Sequence, residues 1–159
     1  MNSNFLIMKY ARKVTILIAD DDEDDRLMTK EAFDEVRILN EILFVKDGVE
    51  LLDYLYRRGS YAEPENSPRP GLILLDLNMP RMDGREALTL IKKDANLRSI
   101  PVTIFTTSKA EEDVVRSYNL GVNCFITKPV TYAGLVQVVK QLNSFWFELV
   151  ELPINTTTC

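Results

Sequence analysis

Residues 14–25 read VTILIADDDEDD, an apolar and β-branched run followed directly by six acidic residues. The apolar part has the length of a strand, and its near-continuous hydrophobicity is typical of a strand that is covered on both faces. The acidic part has three interpretations at this point: a solvated charge run, a calcium-binding loop, or part of an active site. What accompanies it in the rest of the chain decides between them.

Four more apolar runs follow, and stretches with helical periodicity separate them. The predicted strands are 14–19, 41–45, 72–77, 102–107 and 123–127. Strict alternation of strands and helices indicates βαβ units and a parallel sheet. For five strands we predict an α/β fold of the flavodoxin-like (βα)5 type, a doubly wound five-stranded parallel sheet in the order 2-1-3-4-5.

The length of 159 residues suits one compact domain. We expect a single domain over residues 1–159, with a core at about 14–149, a short N-terminal arm and a C-terminal tail over 150–159. Residues 57–71 hold three prolines and two glycines and predict a long loop. The last helix is predicted over 132–149.

Composition excludes several classes of function. The net charge of −5, without a cluster of Lys and Arg, argues against a nucleic-acid groove or a basic membrane patch. The apolar run near the N-terminus is too short for a secretory signal or a membrane span, so we expect a cytoplasmic protein. The chain contains no histidine, and any chemistry must proceed without one.

Polar side chains stand where the predicted strands end. Asp20 and Asp21 end the first strand, Asp76 interrupts the apolar run of the third, the hydroxyl residues 106–108 end the fourth, and Lys128 follows the fifth. In open α/β sheets, ligands bind outside the carboxyl ends of the strands, so these side chains should converge on one edge. A carboxylate on a central strand is costly unless it is paired or binds a metal.

This combination of groups predicts phosphoryl chemistry. Carboxylates held close together repel and raise one another's pKa, and a hard divalent cation such as Mg²⁺ removes that cost. The ammonium of Lys128 adds positive charge at the same edge. A cation, an ammonium and a hydroxyl around a free carboxylate oxygen are what phosphoryl transfer to that carboxylate requires. Aspartate can accept phosphate covalently.

A calcium-binding EF-hand is one alternative for the acidic run. Asp20, Asp22, Asp24 and Glu31 have the spacing of loop positions 1, 3, 5 and 12. Asp25, however, stands where the sharp turn requires glycine, and a predicted strand rather than a helix precedes the run. We therefore prefer the interpretation as part of an active site for the first two carboxylates, and that of a helix start and surface charge for residues 22–25.

The chain resembles the receiver domain of two-component response regulators, from about residue 14 to residue 149. The matching residues are Asp20 and Asp21 after the first strand, LDLNMPRMDG (75–84) around Asp76, Thr106 after the fourth strand, and Lys128 with Pro129 after the fifth. Thr106 fits the family position better than Thr107 does, from its distance along the chain to Asp76 and to Lys128.

The resemblance implies a role for each residue. Asp76 would be the phosphoacceptor, and Asp21, Asp76 and the main-chain carbonyl of Asn78 would bind Mg²⁺ or Mn²⁺ directly. Asp20 would bind the ion through water, and Lys128 would contact the phosphoryl group.

Three further positions follow from the same resemblance. Thr106 would hydrogen-bond the phosphoryl group and move with the aromatic switch residue Phe125, where the family commonly has Tyr. The bond between Lys128 and Pro129 is expected to be cis.

A narrower resemblance concerns partners. The long loop before PGLILLDLNMP, the segment IPVTIFTTSKAEEDVVRSYNLGVNCFITKP and the ending FWFELVELP are similar to stand-alone regulators paired with bacterial phytochrome kinases. The resemblance implies a phosphoacceptor signalling protein rather than an enzyme. A sensor histidine kinase, here a phytochrome, would supply the phosphohistidine that this chain lacks, and a downstream protein target would receive the signal.

The aromatic residues of the last helix allow two interpretations. Neighbours on a helix are about 100° apart, so Trp146 or Phe147 must point away when Phe145 faces the core. Either the C-terminal tail covers the exposed ring, or the ring is a homodimer contact.

An enzyme is the remaining alternative. Haloacid-dehalogenase-like phosphohydrolases place a DxD motif after their first strand, and Asp20-Asp21-Asp22 fits that pattern, with Asp20 as nucleophile. Asp24 stands where that family has Thr, and the chain is short for its core and cap.

Overall fold

The computed structural model of the chain describes residues 14–107, 120–122 and 124–151, with side chains as far as residue 144. Five parallel strands form one sheet in the order β2-β1-β3-β4-β5, so the predicted fold class and strand order are confirmed. The strands are β1 (Thr15–Ala19), β2 (Glu41–Val45), β3 (Pro70–Leu75), β4 (Val102–Thr106) and β5 (Cys124–Thr127).

The described helices follow the strands in the predicted alternation. They are α1 (Glu23–Glu35), α2 (Gly48–Tyr56), α3 (Gly84–Lys93) and α4 (Tyr132–Glu151). The stretch with helical periodicity between β4 and β5 lies largely outside the described residues. None of the helices in the described part of the chain combines the length and apolarity that a bilayer span requires.

Aspartates begin the first three helices. Asp22, Asp47 and Asp83 each precede a helix, and each carboxylate accepts a hydrogen bond from the backbone N–H three residues later. Such caps satisfy N–H groups that have no partner inside the helix. Because α1, α2 and α3 begin just after the strands end, these caps fix the helix starts at the carboxyl edge of the sheet.

Both faces of the sheet are buried. Leu17 and Ala19 of β1 join a core with residues of α2 and α3, whereas Ile16 and Ile18 join a second core with residues of α1 and α4. Successive strand residues point to opposite faces, so every residue of β1 is apolar or buried. The near-continuous apolar runs in the sequence have this origin.

The loop between α2 and β3 is more ordered than its composition predicts. Two short 3-10 turns occupy it, Gly59–Tyr61 and Pro64–Asn66. The Tyr61 hydroxyl donates to Glu50 of α2 at 2.6 Å, and the Ser67 hydroxyl donates to the Tyr61 carbonyl at 2.9 Å. β3 begins at Pro70, two residues before the predicted start, since proline is tolerated as the first residue of a strand.

Gly84 allows α3 to begin directly against the end of β3. A Cβ at this position would overlap the carbonyl oxygen of Asp76 and crowd the Cα of Leu77, and backbone atoms cannot yield as a flexible side chain does. The Gly84 N–H donates to the Leu77 carbonyl at 2.9 Å. Glycine is therefore required here for packing close to Asp76.

We expect Gly84→Ala to lower the free energy of unfolding by about 2–3 kcal/mol, the usual cost of overpacking. Urea unfolding measures this free energy. Gly59→Ala is the control, because nothing lies near its Cβ and only its left-handed φ of 59° opposes the change, at a cost of about 1 kcal/mol. Equal losses in the two variants would show that close packing at Gly84 is unimportant.

Candidate functional site

The backbone of the site continues the hydrogen-bond ladder of the sheet. Three residues just beyond the strand ends each donate their N–H to a neighbouring strand. These bonds run from Asp20 to Val45 (3.0 Å), from Asp76 to Ala19 (3.0 Å) and from Lys128 to Thr106 (2.8 Å). The sheet thereby holds the three charged residues at its carboxyl edge, as the sequence predicts, with β4 between Asp76 and Lys128.

Asp76 is buried, and both of its carboxylate oxygens are hydrogen-bonded. Oδ1 accepts from the hydroxyl of Thr106 at 2.8 Å and from the backbone N–H of Asn78 at 3.1 Å. Oδ2 accepts from Nζ of Lys128 at 2.9 Å. Thr106 is fully buried beside Asp76, whereas Thr107 is exposed, so the structure brings Thr106 and not Thr107 to the site. Its contact with a phosphoryl group stays a prediction.

Lys128 is a buried ammonium surrounded by carboxylates. Its Nζ contacts Oδ2 of Asp76 and of Asp20, and it lies 3.2 Å from Oδ2 of Asp25. Burial alone would lower the pKa of an ammonium, but Asp76 and Asp20 raise the pKa of Lys128 well above its ordinary range. The lysine is therefore a fixed positive charge, and its Nζ also lies 5.7 Å from the centre of the Phe105 ring.

Asp20 is the more deeply buried carboxylate of the acidic pair. Burial raises its pKa above the ordinary value, and the negative charge of Asp76 acts in the same direction. The ion pair with Lys128 and a hydrogen bond from the N–H of Asp22 at 3.0 Å partly offset that rise. Arg26 donates to the Asp20 carbonyl at 2.8 Å and fixes the backbone there.

The donor set fits a hard divalent cation. Carboxylate oxygens of Asp20, Asp21 and Asp76 all lie within 4.8 Å of one another. Asp21 is exposed, so the group opens to solvent on one side. Asp20, Asp25 and Asp76 face the ammonium of Lys128, and Asp21 adds a fourth carboxylate beside Asp20 and Asp76. This excess of negative charge favours Mg²⁺ or Mn²⁺.

The rest of the acidic run divides into two roles. Asp22 caps α1, as predicted from the sequence, and the helix that follows leaves no room for a calcium loop. Asp25 lies in the first turn of α1 and is partly exposed, as the interpretation predicts, but its carboxylate also reaches Lys128, a contact that the interpretation does not include. The sequence carries no signal for this contact, because it depends on how α1 is rotated about its axis in the folded chain.

The expected cis bond before Pro129 is absent. The described residues contain no cis peptide bond, so the bond between Lys128 and Pro129 is trans and the prediction is wrong. Trans is the more stable isomer even before proline, by about 0.5–1 kcal/mol. Lys128 reaches both Asp20 and Asp76 with the bond in this form.

An ion pair that the sequence does not reveal fixes the loop after Asp76. Arg81 has a left-handed backbone, with φ 64°, and donates to both carboxylate oxygens of Asp47 at 2.9 and 3.0 Å. Gly48 donates its N–H to the Met82 carbonyl at 3.0 Å, and a Cβ there would overlap Met82. The start of α2 thus holds the loop that carries Asn78.

The pKa of Asp47 gives this pair a defined pH dependence. Burial raises the pKa, but hydrogen bonds from Arg81 and from the Glu50 N–H lower it below the ordinary 3.8. Because the pKa of Asp47 is depressed, the stabilisation by its ion pair with Arg81 is present above pH 3.8 and is lost as the pH falls below that value.

We therefore expect Arg81→Ala to lower the urea midpoint at neutral pH, with a difference from wild type that shrinks on acidification below pH 3.8. Arg58→Ala, which breaks the exposed pair between Arg58 and Asp53 on α2, should change the midpoint little at any pH. A difference for Arg81→Ala that is constant with pH would exclude the ion pair as its cause.

The remaining predicted residues lie at or beyond the limits of the description. Phe125 on β5 is partly buried against the core on the α2 and α3 side, and its role as a switch stays a prediction. The side chains of Trp146 and Phe147 fall outside the described part of α4.

The sequence profile of the response regulator receiver domain matches residues 16–140. The chain belongs to the response regulator receiver family. The resemblance stated from the strand-end residues is therefore confirmed, and the comparisons give no support to a haloacid-dehalogenase-like phosphohydrolase.

This receiver is similar to phytochrome-associated regulators. Response regulator Rcp1 of Synechocystis is 45% identical over 141 residues, which cover 89% of this chain and 93% of that protein. The structure of Mn²⁺-bound Rcp1 has a TM-score of 0.78 at 42% identity, covering 89% of this chain and 99% of that one. The phosphorylated cyanobacterial phytochrome response regulator RcpA has a TM-score of 0.77 at 42% identity, with 84% and 94% covered.

Proposed function

We propose that this receiver accepts a phosphoryl group on Asp76 from a sensor histidine kinase, in a Mg²⁺-dependent reaction, and signals through the resulting conformational change. The observation that supports it best is the setting of Asp76. One carboxylate contacts a buried hydroxyl, Thr106, and a buried ammonium, Lys128, and lies beside two further carboxylates that suit a divalent cation.

Transfer forms a bond between a carboxylate oxygen of Asp76 and phosphorus, while the bond from phosphorus to the histidine nitrogen of the kinase breaks. The imidazole leaves and takes up a proton. The cation, held by Asp21, Asp76 and the Asn78 carbonyl, would supply charge neutralisation for the phosphoryl oxygens, with Asp20 contacting it through water. Asp20 suits the indirect role, since Lys128 and the Asp22 N–H already occupy its oxygens.

The acyl phosphate would then change the contacts of two residues. It carries about −1.5 to −2 charges at neutral pH, so it attracts the Lys128 ammonium and accepts a hydrogen bond from Thr106. Movement of Thr106 toward the phosphoryl group leaves space behind it for the ring of Phe125, which would couple the site to the surface around β4 and β5. A downstream protein or a second copy of the chain would recognise that surface.

We propose a bacterial phytochrome as the kinase, because the similar proteins Rcp1 and RcpA include a phytochrome response regulator by name. The kinase would dock on the edge that surrounds Asp76. Two exposed apolar side chains flank this edge: Val130, 91% exposed just after Lys128, and Leu27, 57% exposed near the start of α1. Exposed apolar groups beside a polar site are typical of an interaction surface.

Val130→Asp tests the docking surface. We expect phosphate transfer from an autophosphorylated phytochrome kinase to slow roughly tenfold, the effect of losing one central interface contact. Phosphorylation by acetyl phosphate should be unchanged, since that small donor needs no docking.

Leu90→Asp is the matched control for that experiment. Leu90 is 40% exposed on α3, away from the strand-end edge, so its substitution should leave both rates unchanged. A Val130 variant that slows with both donors, or with neither, would contradict docking at this edge.

A further inference from the structure

Asp25 makes a contact that helix capping does not explain. It lies in the first turn of α1, where the capping carboxylate is that of Asp22. Its own Oδ2 turns to the Lys128 Nζ instead, at 3.2 Å. Asp24, in the same turn, is exposed to solvent. The direction of the Asp25 side chain is therefore set by the buried lysine and not by the helix end.

The donors of Lys128 are fully used in this structure. An ammonium group has three N–H donors, and three carboxylates face Nζ: those of Asp20, Asp25 and Asp76. Once Asp76 is phosphorylated, the Lys128 N–H that its carboxylate accepted passes to a phosphoryl oxygen. The phosphoryl group can accept a second N–H of Lys128 only if Asp20 or Asp25 releases the one that it holds. Phosphorylation therefore includes an exchange of partners at the lysine.

Of these two carboxylates, Asp25 costs less to release. Its contact to Nζ is 3.2 Å, against 2.9 Å for Asp76, and the contact to Asp20 is shorter still. Its side chain is 39% exposed, whereas those of Asp20 and Asp76 are 3% and 7% exposed. Water can solvate Asp25 after release, but a released Asp20 would remain a buried and unpaired charge.

We propose that Asp25 is a positioning residue that holds one donor of Lys128 in the resting receiver and yields it to the phosphoryl group. The proposal rests on the function proposed above, with Asp76 as acceptor. Asp25 thereby opposes phosphoryl binding, because its carboxylate competes with the phosphoryl oxygen for the same N–H. A neutral side chain at this position should favour the phosphorylated form.

The test measures affinity for beryllofluoride, a stable analogue of a carboxyl-bound phosphoryl group, by calorimetry with saturating Mg²⁺. We expect Asp25→Asn to bind it about two- to fivefold more tightly than wild type, the range for losing one exposed charge contact. Asp24→Asn removes the same charge from the same turn and corrects for long-range electrostatics. Asp25→Glu keeps the carboxylate and should restore an affinity near that of wild type.

The outcomes separate this proposal from the function on which it rests. If wild type binds no beryllofluoride in Mg²⁺, phosphoacceptance at this site is wrong. If wild type binds it and Asp25→Asn and Asp24→Asn tighten binding equally, the partner exchange at Lys128 is overturned. Weaker binding by Asp25→Asn would also overturn it, since Asp25 would then assist the phosphoryl group.

Discussion

Asp76→Asn abolishes Mg²⁺-dependent labelling of this receiver by acetyl phosphate. The amide is not a nucleophile toward phosphorus, and it also removes the charge that Lys128 meets at 2.9 Å. Intact-protein mass spectrometry after incubation with acetyl phosphate and Mg²⁺ measures the phosphorylated fraction. We expect complete loss, because Thr106 and Lys128 converge on no other carboxylate in the described residues as they do on Asp76.

Two controls make the loss interpretable. Asp24→Asn carries the same substitution on an exposed residue near the site and should be labelled at nearly the wild-type rate. Peptide mapping locates any phosphate that the Asp76 variant still acquires. Labelling of Asp20 or Asp21 in that variant, even at a low rate, would contradict the assignment of Asp76 as phosphoacceptor.

The sheet could be predicted from the sequence because strands covered on both faces have near-continuous apolar runs. β1 and β2 begin and end within one residue of their predicted limits. The start of β3 was missed because Pro70 and Gly71 have loop composition, and only the pairing of Thr15 with Pro70 makes them part of the sheet. The turns between α2 and β3 were missed because the Tyr61–Glu50 contact that supports them is tertiary.

The residues of the site also divide into those that the sequence predicts and those that it does not. Asp20, Asp76, Thr106 and Lys128 could be predicted because each stands at a strand end, so topology alone brings them together. The contact of Asp25 with Lys128 depends on the rotation of α1 about its axis, which the capping by Asp22 fixes only in the folded chain.

One contact that the sequence does not reveal and one wrong prediction concern local backbone geometry. The contact of Arg81 with Asp47 depends on a left-handed backbone at Arg81, and no residue type in the loop indicates that conformation. The isomer of the bond before Pro129 is decided by a difference of about 0.5–1 kcal/mol, too small to infer from residue type.

Asp21→Ala weakens Mg²⁺ binding far more than Asp24→Ala does. Both substitutions remove one exposed carboxylate from the acidic run, so they alter net charge equally. Only Asp21 belongs to the group whose oxygens lie within 4.8 Å of one another. Loss of an outer-shell partner already lowers metal affinity roughly tenfold or more. Loss of a direct ligand should lower the affinity for Mg²⁺ at least as much.

Titration calorimetry with MgCl₂ at about 0.1 M salt measures the two affinities, and the salt limits charge effects to a distance of about 10 Å. We expect Asp21→Ala to lose roughly tenfold or more and Asp24→Ala to lose much less. Because Asp21 is exposed, its substitution should change the free energy of unfolding without metal by less than about 0.5 kcal/mol. The loss of affinity is then a loss of ligation and not of folding. Equal losses for the two variants would mean that the acidic run attracts Mg²⁺ by net charge alone, and that Asp21 is no ligand.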